Sequence, residues 1–178
     1  MIKSIISNNC WGGEVYKIYN GKYSSPTIGL YMNADDYIFF LKNFRYLITQ
    51  EISFESAQNE FDFPIGYLGE VKIYFMHYRN KEEALDKWKR RLNRLPEDND
   101  QILFEISDRD GFDERSIEAF SQLQFKNKIG FLKRGRYSSF GKSCFVEVEC
   151  GGAPTCPDGV TLARMTVGQL EKFKFKFD

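Results

Sequence analysis

One rhythm constrains this chain more than any single motif. Short runs rich in Ile, Val, Phe and Tyr, at 2–7, 27–32, 71–76, 102–106, 128–132 and 145–149, alternate with longer amphipathic stretches. β-Branched and aromatic runs of that length read as strands. Strands that alternate with helical patterns build a mostly parallel sheet with helices on both faces. The expected fold is therefore α/β, three-layer and Rossmann-like. At 178 residues it is expected to be one domain, 1–178, large enough to bury a substantial core.

The intervening stretches carry helix signals. In 35–48, Tyr37, Leu41, Phe44 and Ile48 recur at helical spacing, and Asp35 and Asp36 suit the positive N-terminal end. In 81–95, Asn80 is the expected cap with Glu83 three residues on; Leu85, Trp88, Leu92 and Leu95 form one stripe, and Pro96 stops the helix. Lys87, Lys89, Arg90, Arg91 and Arg94 of that helix read as a solvated basic face, or as a peripheral membrane contact with anionic lipid or a lipid-linked phosphate. A third helix is expected over about 113–123, with Ile117, Phe120 and Leu123 inward. Within 49–70, the stretch from Phe61 to Gly69 mixes turn formers with large apolar groups, as in a packed loop beside a site. Near the end, Thr166 with Gln169 suggests a last helix, while 173–177 alternates as an edge strand does.

Composition narrows the function classes. Lys plus Arg and Asp plus Glu both total 25, so no net field draws in nucleic acid. The 17 Phe and 10 Tyr are expected mainly in the core. The 4 Cys include no C-x-x-C pair and the chain has 1 His, so no metal is expected. No motif names a cofactor. Asn8 and Asn9 interrupt the first apolar run, so a secretory core is not expected, and no run is long enough to cross a bilayer. A cytoplasmic location and a free, reduced Cys10 follow as expectations.

The reactive side chains stand where strands end. Open α/β sheets bind ligands beyond the carboxyl ends of their strands. Strand 2–7 delivers Asn8, Asn9, Cys10, Trp11, Gly12 and Gly13, and strand 71–76 delivers His77, Tyr78 and Arg79. Strand 102–106 delivers Asp108, Arg109 and Asp110, and strand 128–132 delivers Lys133 and Arg134. Two chemistries fit a shared edge. In one, Cys10 is a nucleophile with its thiol pKa lowered at a helix N-terminus, and His77 is its base. Asp108 or Asp110 orients the imidazole, and Asn8 or Asn9 holds an oxyanion. In the other, the edge binds a phosphate-bearing donor. Gly12 and Gly13 let amides approach an anion, while Arg79, Arg109, Lys133 or Arg134 neutralises it. Asp108 or Asp110 then contacts a sugar hydroxyl. Each group also has a plain structural reading: Cys10 packs, His77 is a satisfied core residue, and Gly12-Gly13 makes a tight turn.

Several motifs taken together resemble a bacterial family. They are Asn8-Asn9-Cys10-Trp11-Gly12-Gly13, the stretch from Tyr23 to Leu30, Asp36-Tyr37 with Phe40-Leu41, and Pro64-Ile65-Gly66. His77-Tyr78, Lys87-Trp88 with Arg90-Arg91, and Asn127-Lys128-Ile129 complete the set. The family resembled is a domain of unknown function whose members are called exopolysaccharide biosynthesis proteins. The resemblance implies a Rossmann-like α/β fold and a setting in capsule, exopolysaccharide or lipopolysaccharide synthesis. It supplies no reaction. The resulting expectation is a sugar or substituent transferase that uses an activated phosphate-bearing donor and a glycan acceptor. Cys10, His77 and Asp108 would be catalytic, and Asn8, Asn9, Trp11, Gly12, Gly13, Arg79 and Asp110 would bind substrate. The alternatives are a cysteine acyltransferase or hydrolase, and a non-catalytic glycan- or assembly-binding protein.

Overall fold

The computed structural model describes residues 1–55, 61–137 and 142–177. In chain order its elements are β1 (Ser4–Ser7), α1 (Trp11–Ile18), α2 (Ala34–Lys42), α3 (Phe44–Leu47), β2 (Ile52–Phe54), β3 (Ile65–Leu68) and β4 (Val71–Tyr74). There follow α4 (Lys81–Leu92), β5 (Ile102–Ser107), α5 (Glu114–Gln122), β6 (Lys128–Lys133), β7 (Phe145–Val148) and α6 (Gly159–Thr166).

The chain is α/β, with two sheets. The larger is parallel throughout its four strands, in the order β1-β5-β6-β7. The smaller is antiparallel, in the order β2-β3-β4. β1 and β5 are buried at every position, as strands covered on both faces must be. Neighbouring residues of these strands serve opposite sides. Ile5, Leu103, Ile129 and Phe131 pack with Trp11, Val15, Leu162 and Ala163 of α1 and α6. Ile6, Phe104, Ile106 and Leu132 pack with Tyr37, Phe40, Phe44, Ile117 and Phe120 of α2, α3 and α5.

Two strand expectations are corrected. Segment 71–76 contains β4, but β4 lies in the antiparallel sheet rather than in the parallel one. Its pattern explains this: Val71 and Ile73 are buried while Lys72 and Tyr74 are partly exposed, the alternation of a half-covered strand. A tight turn at Gly69, with φ of 62°, joins it to β3. Segment 27–32 is not a strand; Tyr31 alone makes an antiparallel bridge, to Tyr74. The packed loop expected at 61–69 holds β3 over Ile65–Leu68 instead. Residues 56–60 of that segment lie outside the described residues.

The helix signals map closely onto structure. The 35–48 segment divides into α2 and α3 at Asn43. Asn80 caps α4 by accepting from the Glu83 amide at 2.9 Å, and Asp113 caps α5 with a reciprocal capping box through Ser116. The helix placed after Thr166 instead ends there: α6 precedes it, capped by Asp158, and a 3-10 turn spans Val167–Leu170. In the tail, Phe175 makes a parallel bridge to Ile2 at the edge of the larger sheet. No helix among the described residues is long and apolar enough to cross a membrane.

Candidate functional site

The turn after β1 is built by side chains. Ser7 Oγ donates to the Asn9 carbonyl at 2.9 Å and accepts from the Gly12 amide at 3.2 Å. Asn9 Oδ1 accepts from the Trp11 amide at 2.9 Å, and Asn9 Nδ2 donates to Ser107 Oγ at 2.9 Å. The first amides of α1 are thus satisfied by Ser7 and Asn9, as a helix start requires. Cys10 occupies the N-cap position, with Gly13 beyond it. Gly12 has to be glycine here, because a Cβ would stand 2.7 Å from Ser7 Oγ. Gly12 therefore packs closely in the strand-to-helix turn, whereas a Cβ at Gly13 would meet only Ile28, at an ordinary 3.5 Å.

His77 arrives from the other sheet. Its backbone amide donates to the Gly29 carbonyl at 3.0 Å, just past the end of β4. Gly29 has φ of 80°, a left-handed conformation that glycine adopts without strain. This contact places the imidazole over the start of α1. Cys10 Sγ and His77 Nε2 are 3.3 Å apart. The pair opens into a cleft of about 310 Å³ that is also lined by Gly13, Glu14, Lys17, Tyr23, Ile28 and Tyr78. Lys87, Arg91 and Val160 complete its wall.

The electrostatics correct one expectation. The Cys10 thiol pKa is raised, first by burial, then by the charge of Asp158; Lys17 lowers it and Asp110 adds to the rise. Asp158 caps α6 through the amides of Val160 and Thr161, at 3.0 and 3.1 Å. Those hydrogen bonds and the Thr161 hydroxyl hold its carboxyl below the ordinary range, so it carries its charge. Burial and the Asp158 charge both favour the thiol over the thiolate, so a nucleophilic role would need a partner to take its proton. His77 Nε2 is at hydrogen-bond distance to do so.

Not every expected residue joins this pair. Asp108 is fully buried and committed elsewhere: it accepts from the Cys156 amide at 2.7 Å and the Lys133 amide at 2.9 Å, and pairs with Arg136 at 3.1 Å. It ties the ends of β5 and β6 to the 150–158 loop and does not orient His77. Among the described residues no carboxylate bonds the imidazole, so the arrangement is a dyad. Trp11 is in the core, its indole N–H donating to Thr166 Oγ1 at 3.1 Å. Arg79 is exposed, pairs with Glu83 at 3.2 Å and faces a different depression, beside Phe63 and Pro64. Arg109 donates to the Cys156 carbonyl, and Arg134 pairs with Glu149. Asn9 shapes the turn, and Asn8 is buried, its Nδ2 without a hydrogen-bond partner among the described residues. Asp110 lies near enough to act on the thiol through its charge.

Other residues of the site escape a sequence reading. Arg91, which the sequence places on a basic face, either solvated or in contact with a lipid phosphate, is 7% exposed and lines the cleft. Asp158 and Gly159 bring α6 against the Cys10 turn. Their sequence signal was the Asp-Gly pair followed by Thr161, a helix start.

The fold and the pair define a class: an α/β protein with a thiol–imidazole dyad in a small cleft lined by α1, α4 and α6. The chain belongs to the family described as Domain of unknown function (DUF1919), whose model matches residues 2–149. Cys10, His77 and Arg91 fall inside that match; Asp158 and Gly159 fall outside it. The chain is also similar to a Haemophilus influenzae relative named Uncharacterized protein, with 34% identity over 144 residues, covering 81% of this chain and 68% of the relative.

Proposed function

We propose that the chain is a cysteine-dependent acyltransferase that modifies a bacterial surface glycan in the cytoplasm. The observation that carries the reading is the 3.3 Å approach of Cys10 Sγ to His77 Nε2 at the mouth of a cleft. In the first half-reaction Sγ bonds to the acyl carbon of the donor while His77 Nε2 takes the thiol proton. The bond from carbon to the leaving group breaks, and the imidazolium returns that proton to the leaving group. In the second half, an acceptor hydroxyl bonds to the thioester carbon and gives its proton to His77. The C–S bond breaks, and the thiol regains the proton. Water in place of the hydroxyl makes the same steps a hydrolysis. Gly13, in the first turn of α1, lines the cleft with Cys10, and this reading assigns its amide to the developing oxyanion.

The glycan setting is carried by the resemblance to proteins called exopolysaccharide biosynthesis proteins. The parallel sheet, with α1 and α6 on one side and α2 and α5 on the other, supports a three-layer, Rossmann-like reading of the fold.

The test is acyl-enzyme formation. With p-nitrophenyl acetate, mass spectrometry should find acetyl on Cys10 ahead of Cys144, Cys150 and Cys156, and His77→Gln should slow it by about a hundredfold. Slow, uniform acetylation of all four thiols would remove the cysteine mechanism. A non-catalytic glycan- or assembly-binding role would then be the better reading.

A further inference from the structure

The wall of the cleft opposite the thiol has its own chemistry. Arg91 of α4 is buried, yet among the described residues no carboxylate pairs with it. Its Nη1 donates to the Ile28 carbonyl at 2.9 Å and to the Tyr78 hydroxyl. The guanidinium lies 5.3 Å from the centre of the Tyr23 ring. Its other nitrogens take no hydrogen-bond partner among the described residues, and the side chain lines the cleft. A carbonyl, a hydroxyl and a ring face compensate a buried cation only in part; an anion completes it.

Two more cations line the cleft, Lys17 from α1, which Cys10 caps, and Lys87 from α4. Lys17 pairs with Glu14 at 3.1 Å, but Glu14 also holds Arg164 at 2.8 Å. Lys87 pairs with Glu83 at 2.7 Å, but Glu83 also holds Arg79 at 3.2 Å. Each carboxylate is therefore shared by two cations, and positive charge is in excess around the cleft. It continues past Tyr23, where Lys3, Lys22 and Arg94 line an adjoining pocket and Arg94 donates to the Tyr23 carbonyl. Of the negative groups, Glu14 lines the cleft between Lys17 and Arg164, while Asp158 and Asp110 act on the thiol.

We infer that this wall is a phosphate-binding subsite, in which Arg91, flanked by Lys17 and Lys87, holds the phosphoryl group of a substrate whose reacting carbon faces Cys10. The ligand class is a phosphate ester or diphosphate with a transferable group at its other end. Arg91 supplies a planar fork that matches two phosphate oxygens, and the lysines supply charge that a single carboxylate would not need. The inference rests on Cys10 and His77 as the reacting centre, since it assigns the group that anchors their substrate.

The experiment uses inorganic phosphate and pyrophosphate on the full chain, with chloride holding the ionic strength constant. Both should raise the melting temperature and, near saturation, slow iodoacetamide alkylation of Cys10 by about fivefold or more. Glucuronate, a carboxylate probe, should do neither. Arg91→Gln should abolish both effects. Because Arg91 also holds Ile28 and Tyr78, a Lys17→Gln/Lys87→Gln double variant, altered only in partly exposed lysines, should weaken them independently. Vesicles of phosphatidic acid in phosphatidylcholine distinguish the source: Arg91-dependent co-sedimentation means a lipid-borne phosphate, and its absence with a soluble response means a soluble donor. No response to phosphate in the native chain, or a response that survives both variants, overturns the subsite. A phosphate response with unselective, unprotected Cys10 would keep the subsite and remove the cysteine mechanism. Selective Cys10 acylation with no phosphate response would do the opposite.

Discussion

Gly159 rests directly on the backbone of Trp11: a Cβ on this glycine would stand 2.4 Å from the Trp11 amide nitrogen and 2.5 Å from Asn9 Oδ1. Those two atoms form the hydrogen bond that starts α1. The first residue of α6 is therefore packed against the cap that fixes Cys10.

Gly159→Ala should for that reason do more than overpack a helix contact. Backbone atoms cannot swing aside as a flexible side chain can. The variant should lose about 1–3 kcal/mol in urea unfolding, and Cys10 should lose its kinetic distinction from the other thiols. An alanine variant with full stability and selective Cys10 labelling would show that α6 does not set the site.

Asp158 should act on the thiol through charge alone. Asparagine caps helices as well as aspartate, so Asp158→Asn preserves α6 while removing a negative neighbour of Cys10. A negative charge disfavours the thiolate, so the variant should shift the pH–rate profile of Cys10 alkylation to lower pH. At a fixed pH below the midpoint the rate should rise about two- to fivefold. An unmoved profile would leave burial and the charge of Asp110 as the causes of the raised pKa.

The sequence made the dyad legible by a route that the structure does not follow. The sequence groups Cys10 and His77 as the ends of two parallel strands. Only Cys10 follows a parallel strand, and His77 comes from an antiparallel sheet through its contact with Gly29. The end of a strand was readable in both cases because an apolar run stops there; which sheet it joins depends on pairing, which sequence alone does not encode locally. Val71-Lys72-Ile73-Tyr74 carried the clue in its alternation. Arg91 was misplaced because a helical stripe is drawn through apolar residues. The buried line of α4 runs through Ala84, Trp88 and Arg91 instead. Asp108 attracted attention as an acid at a strand end, but that place also suits a side chain that gathers backbone amides from neighbouring loops.

Asp108→Asn separates those two roles. The carboxylate accepts from two amides and meets Arg136, and an amide group would turn a donor toward one of them. The expected loss is about 2–4 kcal/mol of stability, read by denaturant unfolding. Under conditions where the variant is still folded, selective acetylation of Cys10 should persist. Loss of acetylation in a fully stable variant would return Asp108 to the reacting centre.

Glu105 lies within the parallel sheet, in register with Ser7, fully buried, and its two carboxyl oxygens have no hydrogen-bond partner among the described residues. Burial raises its pKa well above the ordinary value, and the charge of Asp110 adds to the rise. In the native state it keeps its proton over a pH range in which the unfolded chain has lost it. Stability associated with Glu105 is therefore complete below about pH 4.3 and is lost as pH rises toward the folded pKa, by up to about 1.4 kcal/mol per unit. Glu105→Gln removes this titration. The stability of the variant relative to the parent should improve as pH rises above about 4.5, up to the folded pKa of Glu105, measured by urea unfolding at each pH. Asp110→Asn tests the same coupling from the other side. Asp110 has φ of 55°, a conformation that asparagine shares, so the backbone is preserved. Removing its charge should lower the Glu105 pKa, so that the pH-dependent loss ends at a lower pH. It should also speed Cys10 alkylation, because the same charge raises the thiol. A relative stability for Glu105→Gln that is flat with pH would mean that the buried carboxyl titrates as it does in the unfolded chain.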